Sequence, residues 1–170
     1  VTAAIRSGPA APFRLTVLNP GGRDPKRDFA DGAGSPNDPG HAPVNFHGYA
    51  ACTGGVFHCE TKAAIAEGAP VLLLLRGNFR EARAALGQLQ DAGLTTVVSL
   101  KETGLHQIAQ QLAEPKRAAT FREVVAAADG FLAATPEAVS FGEGEFIPTP
   151  YPLEDARWDF ARPVAERRGI

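Results

Sequence analysis

The sequence predicts an α/β fold in which helices cover both faces of a doubly wound, mostly parallel sheet. Three observations carry that prediction. The segment VLLLLR at 71–76 is apolar at every strand position, and a strand of that kind is buried on both faces, as in a parallel sheet between helix layers. Runs of this type alternate with segments of helical periodicity from about residue 56 onward, the pattern of successive βαβ units. The chain has 170 residues, enough for one domain with a sizeable core and too few for two full α/β domains.

The elements follow in order. Phe13 to Leu18 reads as the first strand, stopping at Asn19-Pro20-Gly21-Gly22, a turn signal. Residues 19–43 are dominated by Gly, Pro, Asp and Asn and show no periodicity, which marks a long functional or mobile loop. From Pro43 the pattern suits a short helix that begins on proline and ends at Gly54-Gly55. Val56 to Cys59 is a short strand, and Glu60 to Glu67 a helix closed by Gly68. After VLLLLR, Asn78 caps a helix with Phe79, Ala82, Leu86 and Leu89 on one stripe and Gly93 at its stop. TTVVSL (95–100) is a strand, a helix runs from Thr103 to about Glu114, and Pro115 opens another that leads to the strand GFLAAT (130–135). A short helix from Pro136 and a last strand EFIP (145–148) complete the series. Spacing of this kind implies right-handed crossovers and a Rossmann-like architecture. Residues 1–12 read as a flexible lead-in, 13–153 as the domain, and 154–170 as a C-terminal segment.

Composition narrows the function classes. Apolar residues make up 44% and charged residues 21% of the chain, and the net charge is −2; the pI is near 6.1 and the mean hydropathy −0.11. Nothing here is a basic footprint for nucleic acid. No apolar run approaches the length of a membrane span, and the first twelve residues lack the apolar core of a signal peptide. Two cysteines, Cys52 and Cys59, are no disulfide framework for a domain this size, so reduced thiols and a cytoplasmic location are expected. The chain contains no methionine, which points to a removed initiator or to a part of something longer.

In an open parallel sheet, ligands bind beyond the carboxyl ends of the strands. The strands deliver Asn19 to Asp24, then Arg76-Gly77-Asn78, Lys101 to Gly104, Thr135 to Glu137 and Thr149 to Tyr151 to that edge. Gly21 and Gly22 allow a backbone to approach a ligand and aim N–H groups at phosphate oxygens, although neither the dinucleotide nor the P-loop fingerprint is present. Arg23 and Asp24 extend that loop. Arg76 and Lys101 face an anion on this reading; Lys101-Glu102 reads equally as a solvated pair, with Glu102 in the first turn of the next helix. Three of four histidines (His41, His47, His58) and both cysteines fall between 41 and 59, but no zinc spacing connects them and no metal is expected. His47 is the candidate acid–base group, with a hydrogen-bonded core histidine as the alternative. No nucleophile elbow is present.

Together, NPGGRD after the first strand, the loop into HAPVNFHGYAACTGG, and the late FIPTPYPLEDARWDF resemble the N-terminal half of GT-B glycosyltransferases of the family-four-like type. The resemblance covers roughly residues 13–160. It implies an acceptor-side domain working on a nucleotide sugar, with Gly21 and Gly22 near the donor phosphates and His47 at the cleft-facing histidine. It implies no resident cofactor. It also implies a second Rossmann-like domain that holds the donor, so the nucleotide sugar and acceptor would sit in a shared cleft and this chain alone would be inactive. Trp158, beside Leu153, Ala156 and Phe160, then suits packing against core or neighbouring domain, and its exposure would favour self-association; Tyr151 is placed to stack on a sugar ring. Two other readings stand beside this one: a stand-alone nucleotide- or phosphate-binding regulatory module, and a small hydrolase or isomerase using His47, Lys101 and Glu102.

Overall fold

The computed structural model describes residues 14–23, 26–29, 49–50, 53–100, 105–133 and 145–146. Within them the strands are β1 (Thr16–Leu18), β2 (Arg27–Asp28), β3 (Val56–His58), β4 (Val71–Leu75), β5 (Thr96–Leu100), β6 (Gly130–Ala133) and β7 (Glu145–Phe146). The helices are α1 (Thr61–Glu67), α2 (Phe79–Asp91), α3 (Leu105–Leu112) and α4 (Pro115–Ala127). Among these residues the strands form one sheet in the order β2-β3-β1-β4-β5-β6-β7. Every neighbouring pair is parallel except β2 with β3, so the fold is the doubly wound, mostly parallel α/β sheet expected.

Strand alternation divides the core into two layers. Leu18, Val71, Leu73, Leu75, Val98, Leu100 and Phe131 pack with Ala64, Leu86, Leu89, Ile108, Phe121 and Val124 from the four helices. Val17, Phe57, Leu72 and Leu74 point the other way, onto Phe29, Tyr49 and Ala50. All five residues of β4 are buried, because consecutive side chains enter opposite layers. Fully burying a leucine contributes about 1.5–3 kcal/mol, so β4 is the spine of the sheet.

The layering also locates the reversal of winding. From β1 the chain passes through helical Tyr49–Ala50 on one face to β3, then through α1 on the opposite face back across β1 to β4. With right-handed crossovers, a change of direction along the sheet requires a change of face. The switch therefore falls between the adjacent strands β1 and β4.

Helices α2 and α4 run side by side. Arg117 Nη2 donates to Gly77 O (2.9 Å), Arg83 Nη1 to Glu123 Oε2 (2.7 Å) and Gln90 Nε2 to Ala127 O (2.6 Å). The sequence separations are 40, 40 and 37 residues; a near-constant offset means the helices are parallel and in step. Phe121 of α4 contacts Phe79 (centroids 5.6 Å apart) and Phe131 of β6 (6.3 Å), which ties both helices to the sheet. Both N-termini thus lie at the carboxyl end of the strands.

Three local expectations are corrected. The first strand begins at Thr16 rather than Phe13: Leu15 N–H donates to Thr53 Oγ1 (3.1 Å) instead of joining the ladder. The 19–43 stretch contains β2, whose Arg27 and Asp28 pair antiparallel with Phe57 and Val56. Asn78 is the N-cap residue of α2 as expected, its backbone O accepting from Ala82 N–H (2.8 Å), but its side chain makes no cap bond and is engaged elsewhere. The short helix expected from Pro136 lies outside the described residues, as do the lead-in, Tyr151, Trp158 and the 154–170 segment. No helix among the described residues is long and apolar enough to cross a membrane.

Candidate functional site

The crevice at the switch is bordered by the chain leaving β1 and the chain leaving β4. Asn19 to Gly22 form a tight turn in which Gly22 N–H donates to Asn19 O (3.0 Å). Pro20 at the second position and Gly21 at the third, with φ of 73°, are the residues a type II turn requires. Gly22 has a separate reason to be glycine: a Cβ there would lie 2.4 Å from Asn19 Nδ2 and 2.9 Å from Cys59 Sγ. Asn19 itself is buried, with its N–H donating to His58 O (2.9 Å). Turn geometry and packing therefore account for both glycines, while the turn presents Gly21 and Arg23 to solvent.

The other wall is held by Asn78. Its Oδ1 accepts from Arg76 N–H (2.6 Å) and its Nδ2 donates to Pro20 O (2.9 Å). One amide thus stitches the β4 loop to the β1 turn across 58 residues of sequence. The first turn of α2 is left without a side-chain cap, and its N–H groups stay directed at the carboxyl edge. Arg76 is exposed at the same edge.

Beside this crevice, the N-termini of α2 and α4 enclose a groove of about 280 Å³. Gly77, Arg80, Glu81, Glu114, Lys116 and Arg117 line it. Glu81 reaches toward the β1 turn, its Cγ 4.0 Å from where a Gly21 Cβ would stand. Residue-by-residue reading did not single out Arg80, Lys116 or Arg117. Their local signal was nonetheless present, since Lys116-Arg117 directly follows Pro115 and cations in a first helical turn oppose the helix dipole.

His58 takes a different place. Its side chain is 6% exposed and its Nε2 lies 2.8 Å from Glu67 Oε1, with Lys26 Nζ 3.8 Å from the same oxygen. This group joins β3, α1 and the approach to β2, on the flank away from the β4 loop. Cys59 is a half-buried thiol that forms no disulfide among the described residues. Among the described residues no three His, Cys, Asp or Glu side chains are grouped to hold a metal ion.

Of the residues selected from sequence, the structure brings Gly21, Gly22, Arg23 and Arg76 to one edge. Asp24, His47, Lys101 and Glu102 lie outside the described residues, as do His41 and Cys52. Comparison with known protein families, with curated proteins and with solved structures returns no match to this chain.

Proposed function

We propose that this chain is the acceptor-side domain of a sugar-nucleotide-dependent glycosyltransferase of the GT-B type. The observation that carries the reading is the crevice at the switch between β1 and β4, walled by the Asn19–Arg23 turn and the Arg76–Asn78 loop. Such a crevice is where open α/β sheets take their ligands. The order of segments that resembles these enzymes supplies the substrate class. In the reaction an acceptor hydroxyl oxygen forms a bond to the anomeric carbon of the donor sugar. The bond from that carbon to the diphosphate breaks, the nucleoside diphosphate leaves with the electron pair, and the hydroxyl proton passes to a base.

On this reading the chain contributes positioning more than covalent chemistry. The turn after β1 fixes where the acceptor and the donor phosphates meet, Arg23 and Arg76 add positive charge at the rim, and His47 serves as the acid–base group. The donor is held by a second domain across the cleft, and the protein works in the cytoplasm.

The test uses the natural protein with whatever chain follows Ile170, assayed for nucleoside diphosphate release from UDP-, GDP- and ADP-sugars with a mixture of hydroxyl acceptors. Turnover that is absent from residues 1–170 alone, and that Gly22→Val or His47→Ala lowers at least tenfold (about 1.4 kcal/mol of barrier), is the expected result. A natural chain that ends at Ile170, or full activity in both variants, contradicts the proposal.

A further inference from the structure

We infer that the groove between the N-termini of α2 and α4 binds the phosphate group of a small phosphomonoester. The inference rests on the groove's own side chains and not on the glycosyltransferase reading.

Three cations, Arg80, Lys116 and Arg117, converge on a groove of about 280 Å³, several times the roughly 30 Å³ that a water molecule occupies in the liquid. None of the three forms an ion pair with a carboxylate among the described residues, whereas Arg83, one turn beyond Arg80, is paired with Glu123 at 2.7 Å. Arg122, further along α4, also lacks a carboxylate partner among the described residues, but it does not line the groove. Glu81 and Glu114 share the rim and leave the lining with a net charge of +1.

Arg117 is set in advance. Its Nη2 donates to Gly77 O at 2.9 Å, which holds a surface guanidinium across the mouth of the β4–α2 turn. A guanidinium has five N–H donors in a planar fork, so four remain for a ligand. The bond lowers the ordering cost that a free arginine would carry on binding. Gly77 permits the approach, because a Cβ there would stand 2.9 Å from the same nitrogen.

Glu81 and Glu114 offset part of the positive charge at these helix ends, and an anion in the groove would offset the remainder. Lys116 and Arg117 occupy the first turn of α4, directly after the N-cap residue Glu114, and Arg80 the first turn of α2 beside Glu81. Each helix end is positive through its free N–H groups, so a cation there is weakly repelled. Neither helix has a side-chain cap bond. A phosphate in the groove would accept from the cations and the free N–H groups together, reversing the repulsion. The dianionic headgroup of a phosphomonoester has both the charge and the acceptors for this arrangement, and the groove is open to solvent for the esterified body.

The test is isothermal titration calorimetry at low ionic strength with inorganic phosphate, glucose 6-phosphate and glucose as probes. The expected result is saturable binding of glucose 6-phosphate, weaker binding of inorganic phosphate, and none of glucose. Lys116→Ala and Arg117→Ala should each weaken glucose 6-phosphate at least about tenfold, the scale of one charge-assisted hydrogen bond. Arg83→Ala, outside the groove, should leave it unchanged. Circular dichroism establishes that each variant is folded, and Lys116→Gln provides a second neutral substitution at an exposed position. Equal affinity for phosphate and the ester overturns the monoester assignment; no saturable binding, or binding unaltered by both groove variants, overturns the site.

Discussion

The two ends of the sheet are built from the same kinds of residue and treat them differently. At the amino end, Arg14 Nε donates to Gly54 O (2.9 Å), its Nη2 meets Asp28 Oδ1 (3.4 Å), and Thr53 Oγ1 accepts from Leu15 N–H and contacts Tyr49 O and Ala50 O. Loop, edge strand and first strand are tied together, and the polar groups consume one another. At the carboxyl end, one side chain, Asn78, joins the two loops of the crevice, while two helix N-termini and three groove cations face outward without carboxylate partners among the described residues. Hydrogen-bonding capacity that is matched internally stabilises a fold. Capacity left directed at solvent around a concave edge is what a ligand needs.

The largest effect should come from the amino end. A Cβ at buried Gly55 would lie 2.0 Å from Leu15 O and 2.9 Å from Leu15 C, both backbone atoms that cannot rotate away. Gly55→Ala should cost about 3 kcal/mol or more, read as a drop in the urea midpoint at constant slope. A change below about 1 kcal/mol would show that this end is not the rigid one. Gly22→Ala at the opposite end meets a side-chain amide and a thiol, which can shift. It should cost less, about 1–2 kcal/mol, and a loss as large as that of Gly55→Ala would erase the contrast.

Asn78→Ala removes both bonds across the crevice. It should destabilise by about 1–2 kcal/mol and raise amide hydrogen exchange in the 19–23 and 76–78 loops while leaving 53–55 protected. Equal deprotection at both ends would mean that Asn78 supports the sheet as a whole. The smallest effect belongs to Arg14 and Asp28, whose side chains are 44% and 49% exposed. A double-mutant cycle should give a coupling of about 0.2–1 kcal/mol; a larger value would make the edge pair a structural anchor in its own right.

What could be read from the sequence followed from whether the cause was local. The apolar run of β4, the stripe of α2 and the proline opening α4 are local patterns, and each element formed where its pattern lay. β2 could not be found this way. Arg27 and Asp28 have no strand pattern of their own, and are held extended by pairing with Phe57 and Val56 some thirty residues on, with Phe29 N–H donating to Gly55 O (3.0 Å). Asn78 illustrates the same limit at one side chain. Its suitability as a cap is a local property, but Pro20 O, its actual acceptor, is brought beside it only by the β1–β4 pairing. The groove was half legible. Lys116-Arg117 in a first turn is visible in the sequence, whereas their convergence with Arg80 depends on α2 and α4 running in step.

The central claim is that binding belongs to the carboxyl end. Its most direct test is a backbone amide chemical-shift map of the chain titrated with glucose 6-phosphate. The expected result is saturable shifts confined to Gly21–Arg23, Gly77–Glu81 and Lys116–Arg117, with Arg14, Leu15 and Thr53–Gly55 unmoved. Shifts centred on the amino-end residues, or spread evenly over both ends, would contradict it.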